Sequence, residues 1–242
     1  MARKRKKRSV RWRSILLILL VANTSAGLYF SPVTAAQVIR VEGVELADQD
    51  FVRRALQRLW KTPYIRANPS SIESNLGVVE RIEVATLDTN VFGRGVLKVT
   101  YRKPVASVVG ATTMKLSVRG DLYSDPRPAS GLPSIQLPRD GNQPNLTLAF
   151  PAELRLLADI SARVSAMQVG ENWVIEVEDG GRLCLNKEGS GTVVLGSSEN
   201  LDQKFGRLRT YMSENPGGLE AIKELNLTVA DKPTVTPLES RG

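Results

Sequence analysis

Residues 37–60 read QVIRVEGVELADQDFVRRALQRLW, and the period of the apolar positions changes within them. Gln37 to Val41 is a short β-rich run closed by Glu42-Gly43, a strand followed by a turn. Beyond Asp48 the apolar residues are Phe51, Val52, Ala55, Leu56, Leu59 and Trp60. That paired recurrence is an amphipathic helix, with Arg53, Arg54, Gln57 and Arg58 on its wet face. Asp48 is expected to cap it and Pro63 to stop it. Further along, Asn68-Pro69 writes a second helix start, with Ile72 and Leu76 as its stripe and Gly77 as its end. Val79 to Thr86 then alternates, Asp88 to Gly95 is a turn, and Val96 to Tyr101 is a strand ended by Lys103-Pro104. The order strand, helix, helix, strand, strand over 37–103 predicts a small α+β unit, two helices covering one face of a three-stranded sheet. Pro104 cannot donate to a ladder and biases Lys103 to extended geometry, so the hand-over to a second unit over 104–237 is expected there.

That second unit is richer in strands. Residues 105–135 give short ones broken by Gly and Pro, and 138–144 is expected as a loop. A helix from Pro151 carries Leu154, Leu157, Ser161 and Val164 on one side. Strands return at 173–177, 182–185 and 192–195, joined by glycine turns. A helix capped by Ser198 follows, with Leu201, Phe205, Leu208 and Met212 as its stripe. The last strand runs from Glu224 to Val229, and 238–242 is a polar tail.

At the other end, residues 1–13 carry eight of the 33 Lys and Arg and no acid, so the remaining 25 bases balance all 25 acids. The formal charge of +8 is therefore local to a basic tail and is no argument for nucleic-acid binding by the folded part. No charge then appears until Arg40, and Ile15–Phe30 is largely apolar between Trp12 and Tyr29. This predicts a transmembrane helix over 14–33, with residues 1–13 in the cytoplasm and the C-terminal bulk outside, a single-pass protein of the cytoplasmic membrane. A signal peptide cleaved near Thr24-Ser25-Ala26 or Thr34-Ala35-Ala36 is the rival reading.

The inventory excludes more than it suggests. With no His and one Cys, histidine metal sites, Ser/Cys–His nucleophile pairs and an intrachain disulfide are absent. Gly189, Gly191 and Gly196 lack the Lys-Ser/Thr of a phosphate loop and read as a hairpin turn. Cys184 reads as a small buried filler. Glu176 and Glu178 share a strand face, which is compatible with an acid/base pair but equally with a solvated face. No catalytic residue, cofactor, metal or small-molecule substrate is expected. Leu225, Leu227 and Val229 alternate with Glu224, Asn226 and Thr228, so one face of the last strand is core and the other wet. Only Thr234-Val235-Thr236 follows that could pair beyond it, so 224–229 is expected at or near an open sheet edge able to accept a partner strand; the alternative is a strand buried by its neighbours.

Taken in order, these parts resemble the FtsQ/DivIB family of bacterial cell-division proteins, and the 37–103 unit resembles a POTRA domain. Val38-Ile39-Arg40-Val41-Glu42-Gly43 is similar to the family's opening strand, and Val96 to Ala106 to its domain junction, with Tyr101 in place of an acidic residue. Gly120-Asp121-Leu122-Tyr123, Leu132-Pro133-Ser134-Ile135, Leu195 to Lys204 and Leu225-Asn226-Leu227 resemble later family motifs. The resemblance implies a transmembrane helix, a β-α-α-β-β POTRA domain and a mixed β domain with two helices. It also implies a non-enzymatic scaffold of the divisome that binds FtsB/FtsL-like bitopic proteins during septum formation, with docking at Glu224, Leu225, Asn226, Leu227, Thr228 and Val229. A POTRA-bearing component of secretion or outer-membrane assembly, and an exported protein released by signal cleavage, are the alternatives.

Overall fold

The computed structural model describes residues 12–30, 38–60, 62, 68–90, 94–137, 139–140, 143–144, 150–167, 172–178, 181–215 and 218–238. Most of the basic tail, the helix stops at Pro63 and Pro216-Gly217, and the polar tail after Leu238 lie outside them. The chain is α+β and divides into two compact units, the first ending at Tyr101 and the second beginning at Arg102.

The apolar N-terminal run forms helix α1, Trp12–Phe30. The expectation of a transmembrane helix over 14–33 is corrected here: among the described residues no helix is long and apolar enough to cross a membrane. With it goes the single-pass location built on that span. The physical reason lies in the run itself. Ile15 to Ala22 is apolar without interruption, but Asn23, Thr24 and Ser25 follow. Eight residues rise only about 12 Å as a helix, against a hydrocarbon core of about 30 Å. The Thr24 hydroxyl donates back to the Leu20 carbonyl at 2.8 Å.

In the first unit, β1 (Val38–Glu42) leads through a short 3-10 turn, Leu46–Asp48, into α2 (Gln49–Gln57) and α3 (Pro69–Leu76), then β2 (Ile82–Thr89) and β3 (Arg94–Tyr101). The sheet order is β1-β3-β2, with β3 central, parallel to β1 and antiparallel to β2. The parallel pair needs a long crossover, which the helices and β2 supply. Val52, Ala55, Leu56 and Leu59 from α2 and its exit, with Ile72 and Leu76 from α3, bury against Ile82, Leu87, Leu97 and Val99. Each fully buried aliphatic side chain contributes roughly 1.5–3 kcal/mol. Gly43 is required: at φ +78° its missing Cβ would lie 2.3 Å from the Val99 carbonyl oxygen.

Asp48 stands where the helix cap was expected, but its side chain makes no cap hydrogen bond. It is buried and turned to the sheet instead. Arg81 donates to both carboxylate oxygens, from Nε at 3.0 Å and from a terminal nitrogen, and the Tyr101 hydroxyl donates to Oδ2 at 2.8 Å. The Glu45 amide in turn donates to the Tyr101 oxygen at 3.3 Å. Burial first, then the hydrogen bond to Asp48, pushes the Tyr101 phenol up to about 12. Tyr101, a departure from the resembled junction, thus serves as the third member of a buried polar cluster.

The second unit is a nine-stranded mixed sheet, ordered β14-β13-β12-β11-β10-β7-β4-β5-β6. Its strands are β4 (Pro104–Val108), β5 (Ala111–Ser117), β6 (Leu122–Ser124), β7 (Ser134–Gln136), β10 (Trp173–Glu178), β11 (Arg182–Lys187), β12 (Thr192–Gly196), β13 (Ile222–Asn226) and β14 (Thr234–Pro237). A separate ribbon, β8 (Arg139–Asp140) with β9 (Gln143–Pro144), occupies the region expected as a loop. Two helices, α4 (Pro151–Ala166) and α5 (Leu201–Glu214), share one core with the sheet. Leu157, Ile160, Phe205 and Leu208 pack there with Ile135, Ile175, Leu185, Val193 and Leu225. The α5 cap is Asn200, in the left-handed region, rather than Ser198. Behind it the buried Lys204 ammonium donates to the Ser197 carbonyl at 2.8 Å and ties the β12–α5 turn to the helix.

Candidate functional site

The predicted docking strand sits one place in from the sheet edge. β13 pairs in parallel with β12, as Thr192 with Glu224, Val193 with Leu225 and Val194 with Asn226. On its other side it pairs antiparallel with β14, as Leu225 with Val235 and Asn226 with Thr234. Leu225 and Leu227 are fully buried, and the Leu227 amide donates to the Val194 carbonyl at 2.7 Å. Asn226 is engaged locally: its amide group donates to Glu224 at 3.3 Å and its oxygen accepts the Thr228 amide at 3.0 Å. Thr228 is exposed, and so is Val229, in the turn that follows.

The edge itself is β14. All four of its residues are exposed, and Val235, Val229 and Leu238 present apolar surface at this corner of the unit. As the terminal strand it offers alternate backbone N–H and C=O groups to an incoming strand. Of the six residues expected to dock a partner, then, Glu224 to Asn226 back the edge and Thr228 and Val229 flank it, while Thr234 to Pro237 form it. The β-branched Thr-Val-Thr run was the sequence signal for that strand.

Both members of the candidate acid pair have partners of their own. The Glu176 carboxylate accepts from the Gln136 amide at 3.0 Å and the Asn186 amide at 3.3 Å, from the strands on either side. Glu178 faces Arg182 at 3.5 Å. Cys184 is buried in β11, and burial, with Glu178 next, pushes its thiol up to about 11. Near the opposite sheet edge lies a cluster that sequence reading missed. Asp125, fully buried, accepts from the buried Lys115 ammonium at 3.1 Å and from Arg127 at 2.7–3.0 Å. Burial alone would raise the Asp125 carboxyl, but Arg127 and then Lys115 outweigh it and hold it well below the usual carboxylate range. Nothing in the spacing flags it, because the partners meet across a β5–β6 connection. Among the described residues no group of three or more His, Cys, Asp or Glu is placed to hold a metal ion.

No family model matches this chain, and no curated protein sequence does either. By its geometry the chain is a β-α-α-β-β unit followed by a helix-backed mixed sheet with an exposed terminal strand.

Proposed function

We propose that this chain is a non-enzymatic scaffold of the bacterial division machinery, which binds an FtsB/FtsL-like partner by accepting one of its segments as a further strand on β14. The observation that carries the reading is the state of that strand: it is terminal in the sheet, exposed along all four residues, and flanked by Val229 and Leu238. Main-chain pairing would supply affinity and the apolar corner selectivity. The strand order of the first unit and the motifs at 38–43, 96–106 and 195–204 support the same family reading.

Co-purification of the full chain with a tagged FtsB-like protein tests it. Val235→Pro and Thr236→Pro are the variants, since adjacent residues of a strand aim their N–H groups in opposite directions and one of the two faces outward. Loss of capture in at least one, with circular dichroism unchanged, is the expected result. Capture at the wild-type level by both would move docking away from β14.

A further inference from the structure

Tyr101 ends β3 and Pro104 opens β4, so Arg102 and Lys103 alone join the two units. Neither of them is slack. Lys103 precedes a proline, which biases it to extended geometry, and its carbonyl accepts the Val118 amide at 3.2 Å. Arg102 is tied within the second unit by side chain and backbone together. Its Nη1 donates to Asp121 at 2.7 Å, its guanidinium lies 5.9 Å from the centre of the Tyr123 ring, and its carbonyl accepts the Tyr123 hydroxyl at 3.4 Å. Those partners are themselves held. Tyr123 is buried, and the Ser117 hydroxyl oxygen accepts the amides of Arg119 and Asp121 at 3.2 and 3.1 Å. Gly120, at φ +84°, lies so close to α4 that a Cβ there would sit 2.8 Å from the Arg155 nitrogen. On the other side of the join, Tyr101 belongs to the first unit: it pairs with Ile82, and its hydroxyl donates to the buried Asp48 at 2.8 Å.

We propose that bending between the units passes through a swivel of one peptide, the ψ rotation of Tyr101 and the φ rotation of Arg102. A planar peptide leaves only two soft dihedrals per residue. The ladder to β2 and the anchored phenol fix the first unit's side of Tyr101. The ties of Arg102 fix its carbonyl side, and the proline and the Val118 amide fix Lys103. What remains is the pair of rotations flanking a single amide. Hinges are a few residues at the ends of elements that absorb a φ/ψ change while the packed parts move as bodies. A swivel of this kind differs from a flexible linker, whose reach grows with every free residue. It allows a restricted arc and leaves both cores undisturbed. Arg102 sets the length of the hinge, because cutting its ties extends the free rotations toward Lys103. Nothing in this inference depends on the β14 reading, and each can fail without the other.

Double electron–electron resonance on the full chain tests the proposal, with nitroxides at Ser74→Cys on α3 and Thr210→Cys on α5, both exposed positions. The distance distribution is compared in three backgrounds: the native join, Arg102→Ala with Tyr123→Phe, and an insertion of two glycines after Tyr101. A second label pair, Thr210→Cys with the exposed Lys223→Cys, lies within the second unit and reports whether that unit keeps its fold. The native join should give a narrow distribution. Arg102→Ala with Tyr123→Phe should widen it about twofold, as doubling the free dihedrals implies, and the glycines should widen it further. Should the double variant disturb the within-unit pair, Asp121→Ala takes its place, since it removes the carboxylate tie at an exposed position; it should widen the distribution in the same direction. A native distribution as broad as that of the glycine insertion would overturn the proposal, because the join would already be a loose linker. Folded variants no broader than the native join would overturn it too, and so would a glycine insertion that stays narrow.

Discussion

Asp48 shows how a residue's role depends on partners far along the chain. It precedes an amphipathic run, which by local rules makes it a helix cap. Its carboxylate is instead claimed by Arg81, 33 residues on, and by Tyr101, 53 residues on. The helix it introduces was legible from the apolar period. The ion pair was not, since no local pattern encodes a contact made only when β2 and β3 have assembled. Tyr101→Phe removes one donor from a buried carboxylate and should lower stability by about 1–3 kcal/mol in urea unfolding. The phenol also sets an alkaline limit. Its folded value, about 12, exceeds its ordinary value near 10, so its contribution is intact below about pH 10 and is lost as pH rises through about 12. The variant should flatten that limb. Asp125 works with the opposite sign. Its carboxyl is depressed, so its contribution is present above the ordinary carboxylate range near 3.9 and lost as pH falls below it. Acid titration of the Asp125→Asn variant, followed by circular dichroism, should show a shallower loss of structure between about pH 4 and 2, from a lower starting stability.

Among the elements, the C-terminal pair separates what alternation reveals from what it conceals. The apolar positions of β13 announce a strand with one buried face, and Leu225 and Leu227 are buried. Alternation says nothing about how many neighbours a strand has. The side chains of the short β14 face water; its contribution is the backbone ladder to β13. Asn226→Pro would interrupt a strand paired on both sides, so it should destabilise the second unit by roughly 1–3 kcal/mol through an unmet ladder partner, measured by urea unfolding. Of the two β14 proline variants, the one whose N–H faces outward should leave that midpoint nearly unchanged, and the other should lower it. The N-terminal helix teaches a related lesson. Pooling Ile15 to Phe30 as one apolar run overlooks Asn23-Thr24-Ser25, and it is the length of the uninterrupted part that matters in a bilayer.

For the molecule as a whole, two separate cores imply two separate stabilities. One gathers the side chains of α2, α3, β2 and β3; the other those of α4, α5 and the nine-stranded sheet. Leu97→Ala should destabilise the first unit and Leu225→Ala the second, each by about 2–5 kcal/mol, with little transfer between them. Hydrogen exchange read by mass spectrometry, segment by segment, separates the two. Exchange that quickens equally in both units after either substitution would mean one cooperative block. The proline sets the expected hand-over at Lys103-Pro104, and the two units divide between Tyr101 and Arg102. The ties of the join were not legible: the Lys103 carbonyl accepts the Val118 amide at 3.2 Å and the Arg102 carbonyl accepts the Tyr123 hydroxyl at 3.4 Å, which stitch the junction into the second unit.

The solitary thiol of Cys184 has a practical consequence for all of these measurements. Burial pushes its ionisation up to about 11, so the reactive thiolate is scarce at pH 7, and that sulfur is buried. The wild-type chain is in effect already cysteine-free toward maleimide dyes. A cysteine introduced at the exposed Lys232 would take a fluorophore by itself, and energy transfer to a labelled partner could then report on the β14 edge without disturbing β11.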